Sequence, residues 1–239
     1  MVEGPTLIAE ALAAGVAVES VYVAAGGLEG PAASAVRGAV SAAERAGARI
    51  YDLAPGVLER VAGTVTPQPL LAILPQVGVS LDALAHGSLL VVCVDVRDPG
   101  NAGTVLRSAE AAGVDGVVCC GGTVDIYNPK CVRASAGSLF HVPVVAGGDA
   151  VTVLQQIGAW GLHRLGTAAT EGEAHTSTDL RRPTAFVLGN EAHGLDERLG
   201  GVIDGWVHIP MAGRAESLNV GMACAILCFE AARQRGAAA

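Results

Sequence analysis

Strand-length apolar runs alternate with helix-length segments along this chain, and that alternation narrows the possible folds more than any other feature. The clearest run is Leu89-Leu-Val-Val-Cys-Val94. It is far shorter than the roughly 20 residues a membrane span needs, and it has no polar face. A strand covered on both sides reads this way. A polar stretch at 95–100 and a helix-length segment follow, then a second β-rich run at 116–119. Continued over 239 residues, the pattern predicts an α/β protein with a mainly parallel sheet and helices on both faces. Ligand contacts in such sheets gather beyond the C-terminal ends of the strands.

The pattern divides in two. Helices are expected at 6–14, 34–46 and 55–61, and strands at 20–24, 49–52 and 69–74, which makes a small α/β unit over residues 1–76. Pro75-Gln-Val-Gly-Val-Ser80 interrupts the alternation, so residues 77–87 read as a linker. The second domain, 88–239, has strands expected at 88–94, 116–119, 142–145, 163–168, 184–188 and 206–209. Its helices are expected at 101–112, 130–138, 152–158 and 217–235.

Composition excludes several classes. Hydrophobic residues make up 51% and charged residues 16%, so the chain is globular rather than disordered. No apolar run approaches membrane length, and no basic region precedes the first apolar segment, which Glu10 interrupts; no signal peptide and a cytoplasmic location are expected. The six cysteines form no CxxC pair and read as reduced core thiols. A net charge of −8 argues against a general nucleic-acid binder but leaves room for a local basic patch. Lys130 is the only lysine, so that patch would be built from arginine, which suits bidentate contact with phosphate.

Three loops have the residues to carry chemistry. The first is Asp98-Pro-Gly-Asn-Ala-Gly-Thr-Val-Leu-Arg107. Asn101 is placed to cap a helix, Gly103 leaves its first turn bare for close approach, and Arg107 lies about 9 Å further along the axis. The second, Phe186-Val-Leu-Gly-Asn-Glu-Ala-His-Gly-Leu195, puts glycines and Glu191 at the end of a strand. There His193 reads as a turn residue. The third, Ile209-Pro-Met-Ala-Gly-Arg-Ala-Glu-Ser-Leu-Asn219, joins apolar Ile209, Met211 and Leu218 to two cap-type residues, Ser217 and Asn219. Apolar walls with a few placed polar groups suit an adenine-bearing cofactor. The usual dinucleotide, P-loop and nucleophile-elbow signatures are absent, and the histidines have no HExxH spacing.

In this order and spacing, the loops resemble the three signature motifs of the SpoU (TrmH-like) family of RNA ribose 2′-O-methyltransferases. Asn101, Gly103 and Arg107 carry the first. Leu188-Gly-Asn-Glu191 with Gly194-Leu195 carries the second, and Ile209-Pro-Met211 with Ser217-Leu-Asn-Val220 the third. Glu3-Gly4, Glu10-Ala-Leu12 and Thr64-Val-Thr-Pro-Gln68 resemble the small L30e-like substrate-binding domain that many of these enzymes carry.

The resemblance implies a catalytic domain with a C-terminal trefoil knot, an exception to the general rule against knots. It implies S-adenosyl-L-methionine as cofactor, an RNA substrate, no metal, and a homodimer with the site near the subunit interface. Gly189, Ile209 and Leu218 would hold the cofactor largely through backbone, with Met211, Leu188, Asn190 and Thr167 on the same side. Asn101, Arg107, Glu191, Ser217 and Asn219 would form the catalytic and RNA-facing group. Because of the L30e-like unit, ribosomal 23S RNA is the favoured substrate. Transfer RNA, or an RNA-binding relative without turnover, is the alternative. Gly221, where relatives commonly have serine, His193, in place of a usual acidic residue, and Pro69, in place of glycine, depart from the pattern.

Overall fold

The structure, a computed structural model, describes residues 1–29, 32–62 and 66–236. In chain order the strands are β1 (Val2–Glu3), β2 (Ser20–Val23), β3 (Arg49–Asp52), β4 (Leu70–Ile73), β5 (Leu89–Cys93), β6 (Gly116–Cys119), β7 (Val144–Ala146), β8 (His163–Ala168), β9 (Glu173–Ala174), β10 (Thr184–Leu188) and β11 (Gly205–His208). The α-helices are α1 (Pro5–Ala13), α2 (Ala33–Arg45), α3 (Leu58–Val61), α4 (Pro99–Ala111), α5 (Pro129–Ala134), α6 (Ala150–Ala159) and α7 (Val220–Gln234).

The chain forms two compact units. One comprises Met1–Val77 with Ala136–His141, and the other Gly78–Ser135 with Val142–Ala239. The first is a four-stranded sheet in the order β1-β4-β2-β3, with α1 and α2 packed on one another. Only β2 and β3 run parallel; β4 is antiparallel to both β1 and β2. The Glu3-Gly4 and Gln68 ends of the expected motif meet here. Gln68 donates its main-chain N–H to Glu3 Oε1 at 2.9 Å, and its side chain fills the space a Cβ on Gly4 would need. Thr64 and Val65 of that motif lie outside the described residues.

The second unit carries a sheet of seven strands, β7-β6-β5-β10-β8-β11-β9, and every pairing in it is parallel. Alternation along β5 sends Leu90 and Val92 into a core shared with Leu154 and Ile157 of α6. Cys93 points the other way, toward Cys119 and toward Cys224 of α7. On that side α4 packs against both α5 and α7. All six cysteines are free and buried. Hydrogen bonding to Cys119 and burial push the Cys93 thiol up, and burial raises Cys120 and Cys131 to about 12.

Several boundaries differ from the sequence reading. The expected linker is mostly part of the second unit: residues 81–84 form a 3₁₀ turn, and Leu84 is 3% exposed in the core. The helix expected at 130–138 stops at Ala134 because Ala136 and Gly137 take φ of 51° and 101°, which no right-handed helix accommodates. The last helix starts at Val220 rather than Ser217.

Candidate active site

A cleft of about 260 Å³ opens beyond the C-terminal ends of β8, β10 and β11. Its apolar wall includes Val207, Ile209, Leu218, Val220, Ala223 and Leu227. Thr167, Gly189, Asn190, Glu191, Met211 and Ser217 also border it. The location follows from topology. The chain pairs β6 on one side of β5 and returns much later to place β10, β8 and β11 on the other, and the cleft lies over the ends of these three strands.

A line of hydrogen bonds stands beside this cleft. Asn101 Nδ2 donates to Glu191 Oε1 at 2.8 Å, and Asn101 Oδ1 accepts from Asn219 Nδ2 at 2.7 Å. Asn219 Oδ1 accepts from the Gly221 N–H at 2.9 Å, capping α7. One residue from each expected motif is therefore joined in a single network. Asn101 is not the cap of α4. Asp98 is, accepting the Asn101 N–H at 2.9 Å, with Pro99 in the first helical position. That leaves the Asn101 amide free to span the two loops. Lys130 pairs with Asp98 at 2.9 Å, and this hydrogen bond with the Asn101 N–H holds the Asp98 carboxyl below its ordinary range. Of Ser217 and Asn219, only Asn219 caps α7; Ser217 lies on an exposed stretch at the cleft.

The loop after β10 is tied at its base. Asn190 and Gly194 exchange both main-chain hydrogen bonds at 2.9 Å, with Gly194 at φ 69°. Gly189 is glycine because a Cβ there would run into the Gly194 backbone. Asn190 Nδ2 donates to the main-chain oxygen of Asp95 at 3.0 Å and to its Oδ2 at 3.1 Å.

The remaining expected residues are distributed as follows. Leu188 is fully buried at the end of β10 and does not border the cleft, so its side chain serves the core. Arg107 lies exposed on α4, away from the cleft wall, with no side-chain hydrogen bond or ion pair among the described residues. Gly103 is buried, and its bare face serves helix packing rather than a ligand: a Cβ would sit 2.5 Å from both Ala134 Cβ and Cys131 O of α5. Gly221 packs in the same manner on Thr104, whose Cγ2 would lie 2.7 Å from an added Cβ. Sequence reasoning missed Val207, Ala223 and Leu227 on the wall, and Asp95 and Asp98 behind it. An Asp-Pro pair before a helix is a cap signal that would have found Asp98.

A fully parallel sheet with an apolar cleft at its strand ends, flanked by a polar network, defines an α/β protein with a ligand site at the strand ends. The chain belongs to the SpoU rRNA Methylase family, which it matches over residues 88–229, and residues 1–72 match the MRM3-like substrate binding domain. It is 36% identical over 185 residues to the 23S rRNA (guanosine(2553)-2′-O)-methyltransferase RlmP of Bacillus subtilis, covering 77% of this chain and 72% of that protein. It is 32% identical over 199 residues to the 23S rRNA (guanosine-2′-O-)-methyltransferase RlmB of Bordetella pertussis, covering 81% of each. Among solved structures, the SpoU methyltransferase AviRb of Streptomyces viridochromogenes in complex with AdoMet superposes with a TM-score of 0.83 at 29% identity. That match covers 99% of this chain and 90% of AviRb.

Proposed function

We propose that this chain transfers a methyl group from S-adenosylmethionine to a ribose 2′-hydroxyl of 23S ribosomal RNA. The observation that carries the reading is the Glu191–Asn101–Asn219 network beside the cleft. RlmP and RlmB are named for this reaction on 23S RNA, which favours ribosomal over transfer RNA.

The cleft fits the cofactor. Ile209, Leu218 and Val220 offer apolar walls for an adenine ring, and Gly189 and Gly194 border the mouth without side chains. When bound, S-adenosylmethionine supplies an electrophilic methyl group on a positively charged sulfur. A 2′-hydroxyl is a poor nucleophile that must lose its proton, here to water at the exposed mouth of the cleft, as its oxygen takes the methyl group and S-adenosylhomocysteine is left behind, so alignment supplies several kcal/mol of the barrier. Asn101 and Glu191 orient the ribose, and the Asn219 cap fixes Asn101 to the start of α7. Arg107 stays protonated. On the exposed face of α4 it holds a phosphate of the RNA beside the reacting ribose.

The homodimer and the knot belong to the same reading. Met222 and Phe229 are 57% and 51% exposed on one face of α7, an apolar stripe that a second copy of this chain would cover. The knot is supported by the return of α7 from beyond β11 to pack against α4. Among the described residues, no helix is long and apolar enough to cross a membrane. We place the activity in the cytoplasm, with the ribosomal RNA.

The test is incubation with tritiated methyl donor and either unmodified 23S transcript or bulk transfer RNA. Label in alkali-resistant dinucleotides of the 23S transcript is expected. Label on bases, or on transfer RNA alone, would refute the reading.

A further inference from the structure

The family resemblance puts Asn190 on the cofactor side of the cleft, yet both polar atoms of its side chain are already engaged within the protein. Nδ2 donates to the Asp95 main-chain oxygen and to Asp95 Oδ2 at 3.0 and 3.1 Å. Oδ1 accepts from the N–H groups of Ala192 at 2.9 Å and His193 at 3.2 Å. The side chain thus ties the segment after β5 to the loop after β10, and it orders that loop from within.

Asp95 is shaped for this contact. Its φ is 58°, a region that Asp and Asn enter more readily than other side chains bearing a Cβ. Its other carboxylate oxygen, Oδ1, takes the Arg97 guanidinium at 2.9 Å. Beyond Asn190, residues 191–194 are all exposed, so packing does not hold them. Glu191 nevertheless meets Asn101 at 2.8 Å, and the Arg97 main-chain N–H reaches its second oxygen at 3.5 Å.

We propose that Asp95 and Asn190 form a positioning pair that sets Glu191 against Asn101, and that the Asn190 side chain touches neither the methyl donor nor the RNA. This rests on the reading of Glu191 as part of the methyl-transfer site. The pair acts through the loop, so it governs turnover rather than affinity for the cofactor.

A donor–acceptor swap tests it. Asn190→Asp keeps the shape and the acceptor for Ala192 and His193, but it turns the donor toward Asp95 into a second carboxylate. Transfer to a 23S transcript should fall about tenfold or more in kcat, the equivalent of losing one strong hydrogen bond. The Kd for S-adenosylhomocysteine, measured by calorimetry, should stay within about threefold, since no cofactor contact is lost. The double variant Asp95→Asn/Asn190→Asp restores the side-chain donor–acceptor pair but not the bond to the Asp95 main-chain oxygen, and should recover part of the rate. An unchanged rate in Asn190→Asp, a parallel loss of S-adenosylhomocysteine binding, or a double variant no better than the single would overturn the pair. Glu191→Gln, assayed alongside, separates the two levels. If it turns over normally, the reading of Glu191 falls and the pair with it. If it is impaired while the swap has no effect, only the pair falls.

Discussion

Asn219 gives one end of its side-chain amide to α7 and the other to Asn101: its Oδ1 accepts the Gly221 N–H at 2.9 Å while its Nδ2 donates to Asn101 Oδ1 at 2.7 Å. Helix start and site geometry therefore share a side chain. Asn219→Ser retains a cap but is too short to reach Asn101. It should leave the melting temperature within a few degrees while lowering kcat about tenfold, as loss of one hydrogen bond predicts. Calorimetric melting beside a methyl-transfer assay checks both halves.

Asn101→Ala removes the links to both Glu191 and Asn219. One of the lost bonds is to a carboxylate, so a loss of about 2–4 kcal/mol in transition-state stabilisation is expected, on the order of 30- to 1000-fold in kcat/KM. Single-turnover kinetics on a 23S transcript measures it.

Arg107 is the exposed cation of α4 with no partner among the described residues, which leaves it available to substrate. Arg107→Ala should reduce transfer by about a hundredfold or more and leave the affinity for S-adenosylhomocysteine unchanged. Arg107→Lys should recover only part of the rate, because an ammonium group lacks the planar fork. Normal turnover by the alanine variant would remove Arg107 from the mechanism.

Gly103→Val forces two methyl groups toward Ala134 and the Cys131 carbonyl, where even a Cβ would sit at 2.5 Å. The α4–α5 contact must open, and a loss of about 1–3 kcal/mol is expected. Urea unfolding should show a lower midpoint; an unchanged midpoint would mean that the helices separate freely.

Acid stability should depend on Asp204. Arg164 donates to both of its carboxylate oxygens, at 2.8 and 2.7 Å, and these bonds hold its pKa at about 2. The folded value lies below the ordinary aspartate value of about 3.9. The stabilisation is therefore present above roughly pH 4 and is lost as pH falls toward 2. Asp204→Asn should melt below the parent protein at pH 7, with the gap closing between about pH 4 and pH 2.

The sheet was legible because Leu89–Val94, Gly116–Cys119 and Thr184–Leu188 are continuous apolar runs, the signature of strands with no wet face. The two-residue strands β1 and β9 were not, since so short a segment has no period. Within the site, Asn101, Glu191 and Asn219 were found by motif spacing, but their mutual contacts arise from loops far apart in sequence. Asp98, Asn101, Ser217 and Asn219 are all good caps by residue type, and only the path of the chain decides which of them caps. Nothing in the sequence marks Asp95, because its partner, Asn190, lies on a loop far away in the chain. Gly103 was given a ligand's role when its neighbour is another helix: a bare helix face looks the same from sequence in both cases.

The central pair of the large sheet joins Leu89 to Thr184 and Cys93 to Leu188. The stretch between them contains β6, β7, β8 and β9, so β5 stays open along one edge until all four, and β10 after them, have left the ribosome. Long-range parallel pairing of this kind closes slowly. During synthesis, then, the nascent chain exposes its most apolar strand for longer than any other, and the cleft, which borrows its walls from β8, β10 and β11, comes into being only at the final stage of folding.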